Sequence, residues 1–273
     1  MRAEVVATPV LERLAASALD GVVRGATERA AYLAFGGFVV ALTAPGVPLM
    51  PNGIAVERTA VGDGPVRAGA GRIALAGGDM VVLDGAAAWE PALPRFVAGD
   101  AEALRARGAA VAAALGDDAT PESLGGARGR EGREALRRAL GDRDVAAAAR
   151  ASERLLGLGG GLTPEGDDVL TATAAVVIAA GDAFGFTAPA RERFVAALVP
   201  ADIGERTTAL SATLLGLGAE GRIVEPVHRL LGLSAGGPAW REALATLEAT
   251  GASTGRAYAA AVAATLEALG AGA

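Results

Sequence analysis

Between Leu155 and Thr171 (LLGLGGGLTPEGDDVLT), glycines at 157, 159, 160 and 161 are followed by Thr163, Pro164 and the pair Asp167-Asp168. No other stretch brings permissive backbone, a hydroxyl and two carboxylates so close together. A glycine loop running into a helix start presents backbone amides suited to an anion. Two carboxylates in the first turn would repel that anion. The conflict resolves in one of three ways: a divalent cation, Mg²⁺, bridging Asp167 and Asp168 to the substrate; an intervening Arg; or a ligand amide or amine donating to the aspartates. Helix capping accounts for part of the stretch. Thr163 is a good N-cap and Pro164 a good first helical residue. The aspartates favour the positive helix end by up to about 1 kcal/mol each. Capping leaves Gly159, Gly160 and Gly161 unexplained.

Two further stretches supply hydroxyls. In Glu205 to Ser211 (ERTTALS), Thr208 and Ser211 are three apart on one helix face, with Thr207 beside them. Arg206 opens the stretch and can hold an anion bidentately. In Gly251 to Gly255 (GASTG), Ser253 and Thr254 precede the closing apolar helix. The spelling matches G-x-S-x-G, but a nucleophile elbow needs a preceding strand, and Arg241 to Ala249 reads helical. It also needs a later His, whereas the single His, His228, comes earlier. A hydroxyl-rich helix start facing an anion fits better. Asn52, in the proline-rich loop Ala44 to Asn52, can aim a side-chain amide at a site or serve its turn. His228, within EPVHRLLGL, reads as structural, because geometry and not presence makes an acid–base group.

The absences narrow the chemistry. With no Cys there is no thiol nucleophile, disulfide or Cys-bound zinc, and all 25 basic residues are Arg. Lacking Lys, the chain has no Schiff base and no P-loop lysine. Chemistry falls to Asp, Glu, Ser, Thr, Arg and backbone amides. A net charge of −6 and 4% aromatics argue against a nucleic-acid partner. The longest apolar run, Val169 to Ala180, falls short of the ~20 residues of a membrane span. The N-terminus lacks a signal-peptide layout, so a cytoplasmic protein is expected.

The elements that must position these residues change character along the chain. Up to about residue 97, short Val-rich runs alternate with Gly-Asp and Pro turns. Strands are expected at Phe35 to Thr43, Gly53 to Glu57, Val66 to Ile73 and Met80 to Leu83, after a helical run around Leu11 to Leu19. From residue 98 the sequence is Ala/Leu/Arg/Glu with helical spacing, starting from Asp100 as an N-cap. Helices are expected near 131–140, 142–156, 164–180, 189–198, 205–216, 222–231, 238–249 and 254–269, with Gly116 to Gly132 a polar connection. The fold class is therefore α+β: a β-rich barrel or sandwich-like domain over 1–97, then a mainly α-helical domain over 98–273 carrying the glycine loop. LLGL recurs at Leu155, Leu214 and Leu230, which predicts that Gly157, Gly216 and Gly232 are left-handed helix caps.

MPNGI (Met50 to Ile54), GLGGGLTPEGDDVL (Gly157 to Leu170), RTTALS (Arg206 to Ser211) and GASTG (Gly251 to Gly255) together resemble one family. It is the domain family that includes the small third subunit of oxamate carbamoyltransferase, an assembly of anaerobic allantoin degradation. The resemblance runs from about Ala30 to the end, and GLGxGLTPxGDD is its most specific part. This chain has Gly160 where that motif carries Pro, and Glu165 where a small residue is usual. The resemblance implies carbamoyl phosphate, oxamate and oxalurate as substrates, and a hetero-oligomeric setting. Under that reading Asp167, Asp168 and Arg206 would be catalytic. Asn52, Gly159, Gly160, Gly161, Thr163, Thr207, Thr208, Ser211, Ser253 and Thr254 would bind substrate. The alternative is a non-catalytic structural or regulatory subunit that binds a small anionic metabolite or a partner subunit.

Overall fold

A computed structural model describes residues 1–15, 18–116 and 126–272. The chain divides into two compact units, Met1–Pro91 and Ala92–Ala273.

The first unit is a nine-stranded sheet with one helix. Its strands are β1 (Ala3–Ala7), β2 (Leu19–Ala26), β3 (Ala30–Phe35), β4 (Phe38–Thr43), β5 (Gly53–Val56), β6 (Pro65–Gly69), β7 (Arg72–Ala74), β8 (Met80–Val82) and β9 (Ala87–Trp89), with α1 (Thr8–Ala15) after the first. The order across the sheet is β8-β7-β6-β2-β3-β4-β5-β1-β9. Pairing is antiparallel except between β4 and β5 and between β1 and β9. The sheet curls on itself, because Arg2 forms a parallel bridge to Val82 although β1 and β8 lie far apart in the order. The concave side is filled by Val6, Leu33, Leu42, Ile54, Ile73 and Val81, all fully buried, with Val10 and Leu14 of α1 joining them.

Two expected strands have shifted bounds. Phe35 to Thr43 holds the last residue of β3, the turn at Gly36 with φ 60°, and the whole of β4. Val66 to Ile73 bends at Ala70 and Gly71, both with positive φ, between β6 and β7. In each case glycine provides a left-handed turn residue inside an apolar run.

The second unit is helical: α2 (Ala101–Leu115), α3 (Gly126–Gly141), α4 (Val145–Leu155), α5 (Glu165–Ala180), α6 (Ala188–Leu198), α7 (Ile203–Arg206), α8 (Ala209–Ala219), α9 (Glu225–Gly232), α10 (Pro238–Glu248) and α11 (Thr254–Ala271). The α+β class read from the sequence is the class observed. Of the polar connection expected at 116–132, residues 117–125 lie outside the described residues, and the remainder from Gly126 belongs to α3. Among the described residues no helix is long and apolar enough to cross a membrane.

The unit is built around α5. Only Glu165 and Ile178 of its 16 residues escape full burial. Its Ala, Thr and Gly side chains let neighbours approach closely. A Cβ on Gly218 of α8 would stand 2.8 Å from the Thr171 carbonyl, so the α5–α8 contact requires glycine there.

Local chemistry moves several boundaries. The helix expected over 205–216 is broken in two, because Thr207 is extended and Thr208 caps α8 by accepting from the Ser211 amide at 3.1 Å. Such a cap contributes about 1 kcal/mol. Asp100 does not cap α2 through its side chain. Its carboxylate instead accepts from the Val97 amide at 2.8 Å, closing the preceding turn. Of the three LLGL glycines only Gly157 takes the left-handed conformation, with φ 70°. Gly216 lies within α8 and Gly232 ends α9 without positive φ. Gly216 sits inside an apolar helix, and there glycine is tolerated rather than used.

Candidate functional site

The glycine loop is tied to its surroundings by its two ends. At the upstream end α4 stops at Leu155, and Gly157 turns the chain so that the Leu158 amide donates to the Leu155 carbonyl at 2.9 Å. A Cβ at Gly157 would lie 2.8 Å from the Arg206 carbonyl, and one at Gly159 would lie 2.8 Å from the Glu165 amide. Both positions have positive φ, so these two glycines are required by the backbone. Gly159, Gly160, Gly161 and Leu162 are exposed. Among the described residues, the amides of Gly159 to Gly161 donate to no other protein group.

At the downstream end the helix starts at Glu165, one residue later than expected, with Pro164 as N-cap. Thr163 is thereby released from capping, and its hydroxyl meets the Thr254 hydroxyl at 3.0 Å. The Thr208 hydroxyl donates to the Leu162 carbonyl. The Thr207 hydroxyl donates to Asp167 Oδ2, while the Gly157 amide donates to Oδ1 at 2.7 Å. The loop, the RTTALS segment and the GASTG segment therefore converge on the start of α5.

The aspartates are both 1% exposed, yet they differ in surroundings. Burial raises the Asp167 pKa, while hydrogen bonds from the Gly157 amide and the Thr207 hydroxyl pull it back down. Asp167 braces the loop internally. Burial pushes Asp168 well above the usual carboxylate range. The Thr254 hydroxyl opposes the shift, and the charges of Asp167 and Glu165 add to it. Asp168 Oδ2 has no hydrogen-bond partner. Tyr258, fully buried one helical turn beyond Thr254, lies against the same carboxyl and has its own pKa raised by burial first. A raised Asp168 pKa weakens the repulsion that two ionised carboxylates would exert on an anion.

Both Asp167 oxygens already accept protein hydrogen bonds, and among the described residues no group of three or more His, Cys, Asp or Glu could hold a metal.

The remaining candidates are placed as follows. Arg206 is paired bidentately with Glu153, at 2.9 and 2.7 Å, and reaches Asp202 at 3.8 Å. Ser211 is buried behind Asp167, and Ser253 stands partly exposed at the N-cap of α11 without a side-chain capping bond. Gly255 serves packing, since a Cβ there would fall 1.6 Å from the Leu247 carbonyl of α10. Asn52 belongs to the first unit, where it is fully buried and donates to the Val39 carbonyl at 2.8 Å, fastening its loop to β4. His228 is partly buried on α9.

Sequence reasoning missed Gly157 as a donor, Glu153 as the partner of Arg206, and Tyr258 beside Asp168. Only Tyr258 had a legible signal, its i+4 spacing from Thr254.

Residues 155–266 match the family model described as oxamate carbamoyltransferase subunit AllH. Over that stretch the chain is similar to the AllH family. The AllH match begins at the last residue of α4 and runs into α11. It contains every member of the convergent cluster and leaves out Asn52. No curated protein and no solved structure matches the chain.

Proposed function

We propose that this chain is the anion-holding part of a carbamoyltransferase that interconverts oxamate plus carbamoyl phosphate with oxalurate plus phosphate, working with other subunits. The observation that carries the reading is the Thr163–Thr254 contact, which joins the glycine loop to a segment 91 residues away at the start of a second helix. Carbamoyl transfer needs positioning and oxyanion donors more than a covalent nucleophile. The free amides of Gly159, Gly160 and Gly161 and the hydroxyls of Thr163, Ser253 and Thr254 supply such donors. Burial raises the Asp168 pKa well above the usual carboxylate range, which weakens its repulsion of a phosphate or carboxylate. Thr207, Thr208 and Ser211 fix the other side of the loop.

A second reading, a subunit that binds the anion without carrying out transfer, is favoured by one observation. Asp167 and Arg206 are both spent on internal bonds, so they position the loop rather than reach a substrate.

Titration calorimetry with carbamoyl phosphate, oxamate and inorganic phosphate, on wild type and Thr163→Val/Thr254→Val, tests the first reading. Binding and carbamoyl transfer by the assembled subunits should both fall in the double variant, and unchanged values would remove the loop from the site. Asp167→Ala separates the readings: loss of assembly alone leaves this chain non-catalytic.

A further inference from the structure

A second feature of the helical unit lies outside the loop cluster. Between α2, α3, α5 and α11 is a cavity of about 400 Å³, within the size range of small-molecule pockets. Its walls include Leu136, Leu140 and Val169, and alanines along α11 leave the space open. Arg130, Arg133 and Arg137 of α3 line the same cavity. Their i, i+3, i+7 spacing puts all three on one helix face.

These arginines are not equivalent. Arg137 is held by Glu134 at 3.1 Å, with Glu267 adding to its stabilisation. Arg130 and Arg133 stand one turn apart on α3. Burial lowers the Arg133 pKa, the charge of Glu165 raises it, and the charge of Arg130 lowers it by less. Glu134 and Glu267 line the cavity too, so its wall carries three arginines against two carboxylates beside an apolar hollow. An anionic head group complements that balance, and an apolar body attached to it would fill the hollow.

We propose that this cavity binds a small amphipathic carboxylate, with its head group at Arg130 and Arg133 and its apolar body against Leu136, Leu140 and Val169. Such a ligand differs in kind from the small polar substrates proposed for the loop. Its site also lies partly outside the segment that matches the AllH model, because Arg130, Arg133, Leu136 and Leu140 all precede residue 155.

The probe is octanoate, titrated by calorimetry and thermal shift into wild type, Arg130→Glu and Ala264→Phe. Acetate carries the head group alone, and octylamine carries the body with the opposite charge. Saturable octanoate binding that raises the melting temperature is expected for wild type, since a ligand that binds only the native state stabilises it. Binding should weaken by about tenfold or more in Arg130→Glu, where an exposed side chain is changed and folding is undisturbed. Ala264→Phe should block the hollow; if it does not fold, Arg130→Glu carries the test. Octanoate that fails to saturate, binds Arg130→Glu as tightly, or is matched by acetate or octylamine would overturn the proposal. Phosphate titrated into the same Arg130→Glu protein should bind as in wild type, which keeps this outcome separate from that of the loop.

Discussion

Thr163 and Thr254 share a hydrogen bond of 3.0 Å across 91 residues of chain, joining the end of the glycine loop to the first residue of the closing helix. The bond exists because α5 starts at Glu165, which frees Thr163 from capping. Thr254 also opposes the rise in the Asp168 pKa, so the two hydroxyls connect a partly exposed loop to the surroundings of a buried carboxyl.

Replacing Thr254 by Val should therefore act at a distance. The variant loses one side-chain hydrogen bond and leaves the Asp168 carboxyl with less help, a cost of about 1–2 kcal/mol in chemical unfolding. Thr254→Ser keeps the hydroxyl and should recover most of it. A Val variant as stable as wild type would show that the link bears no energy.

The loop glycines should divide sharply. Gly157→Ala places a Cβ 2.8 Å from the Arg206 carbonyl at φ 70°, and should cost about 1–3 kcal/mol. Gly160 meets nothing within 4 Å and has no positive φ, so Gly160→Ala should stay within about 0.5 kcal/mol of wild type. Thermal melts of the two variants side by side check the contrast. Equal losses would mean that the loop backbone differs from the one described.

The sequence shows clearly the switch from strands to helices and the crowding of Gly159 to Asp168. Hydrophobic period and turn chemistry are local properties, and both leave local marks. Partnership is not local. Nothing in RTTALS announces that Thr207 would serve Asp167 while Thr208 capped the next helix. Nor does anything mark Glu153 as the destination of Arg206. The repeated LLGL misleads for the same reason. Identical residues sit at a helix end once and inside or at the close of apolar helices twice, and tertiary packing decides which.

Arg206 should matter little to stability. Its pair with Glu153 is short, but Glu153 is 63% exposed, and exposed pairs of this kind contribute about 0–1 kcal/mol. Arg206→Ala should unfold within about 1 kcal/mol of wild type, and raising the salt concentration should narrow the gap. If Arg206 instead reaches the substrate in the assembled enzyme, transfer will drop much further in Arg206→Ala than in Glu153→Gln. Matching losses in the two variants would confine Arg206 to positioning.

Asp168 offers the sharpest pH signature. Its folded pKa is raised above the unfolded value, chiefly by burial, so the native state holds a proton that the unfolded chain releases. Below the unfolded pKa of about 3.9 both states are protonated, and the full contribution is present. As pH rises from there towards the folded pKa, the unfolded state is increasingly favoured and stability declines. Asn cannot ionise, so Asp168→Asn abolishes this part of the slope. The stability of the variant relative to wild type should therefore improve steadily from pH 4 to pH 7. Urea unfolding at several pH values measures the difference directly. A constant offset between the two proteins across that range would mean that Asp168 ionises in the native state as freely as in the unfolded chain. In that case the anion at the loop would face two negative charges.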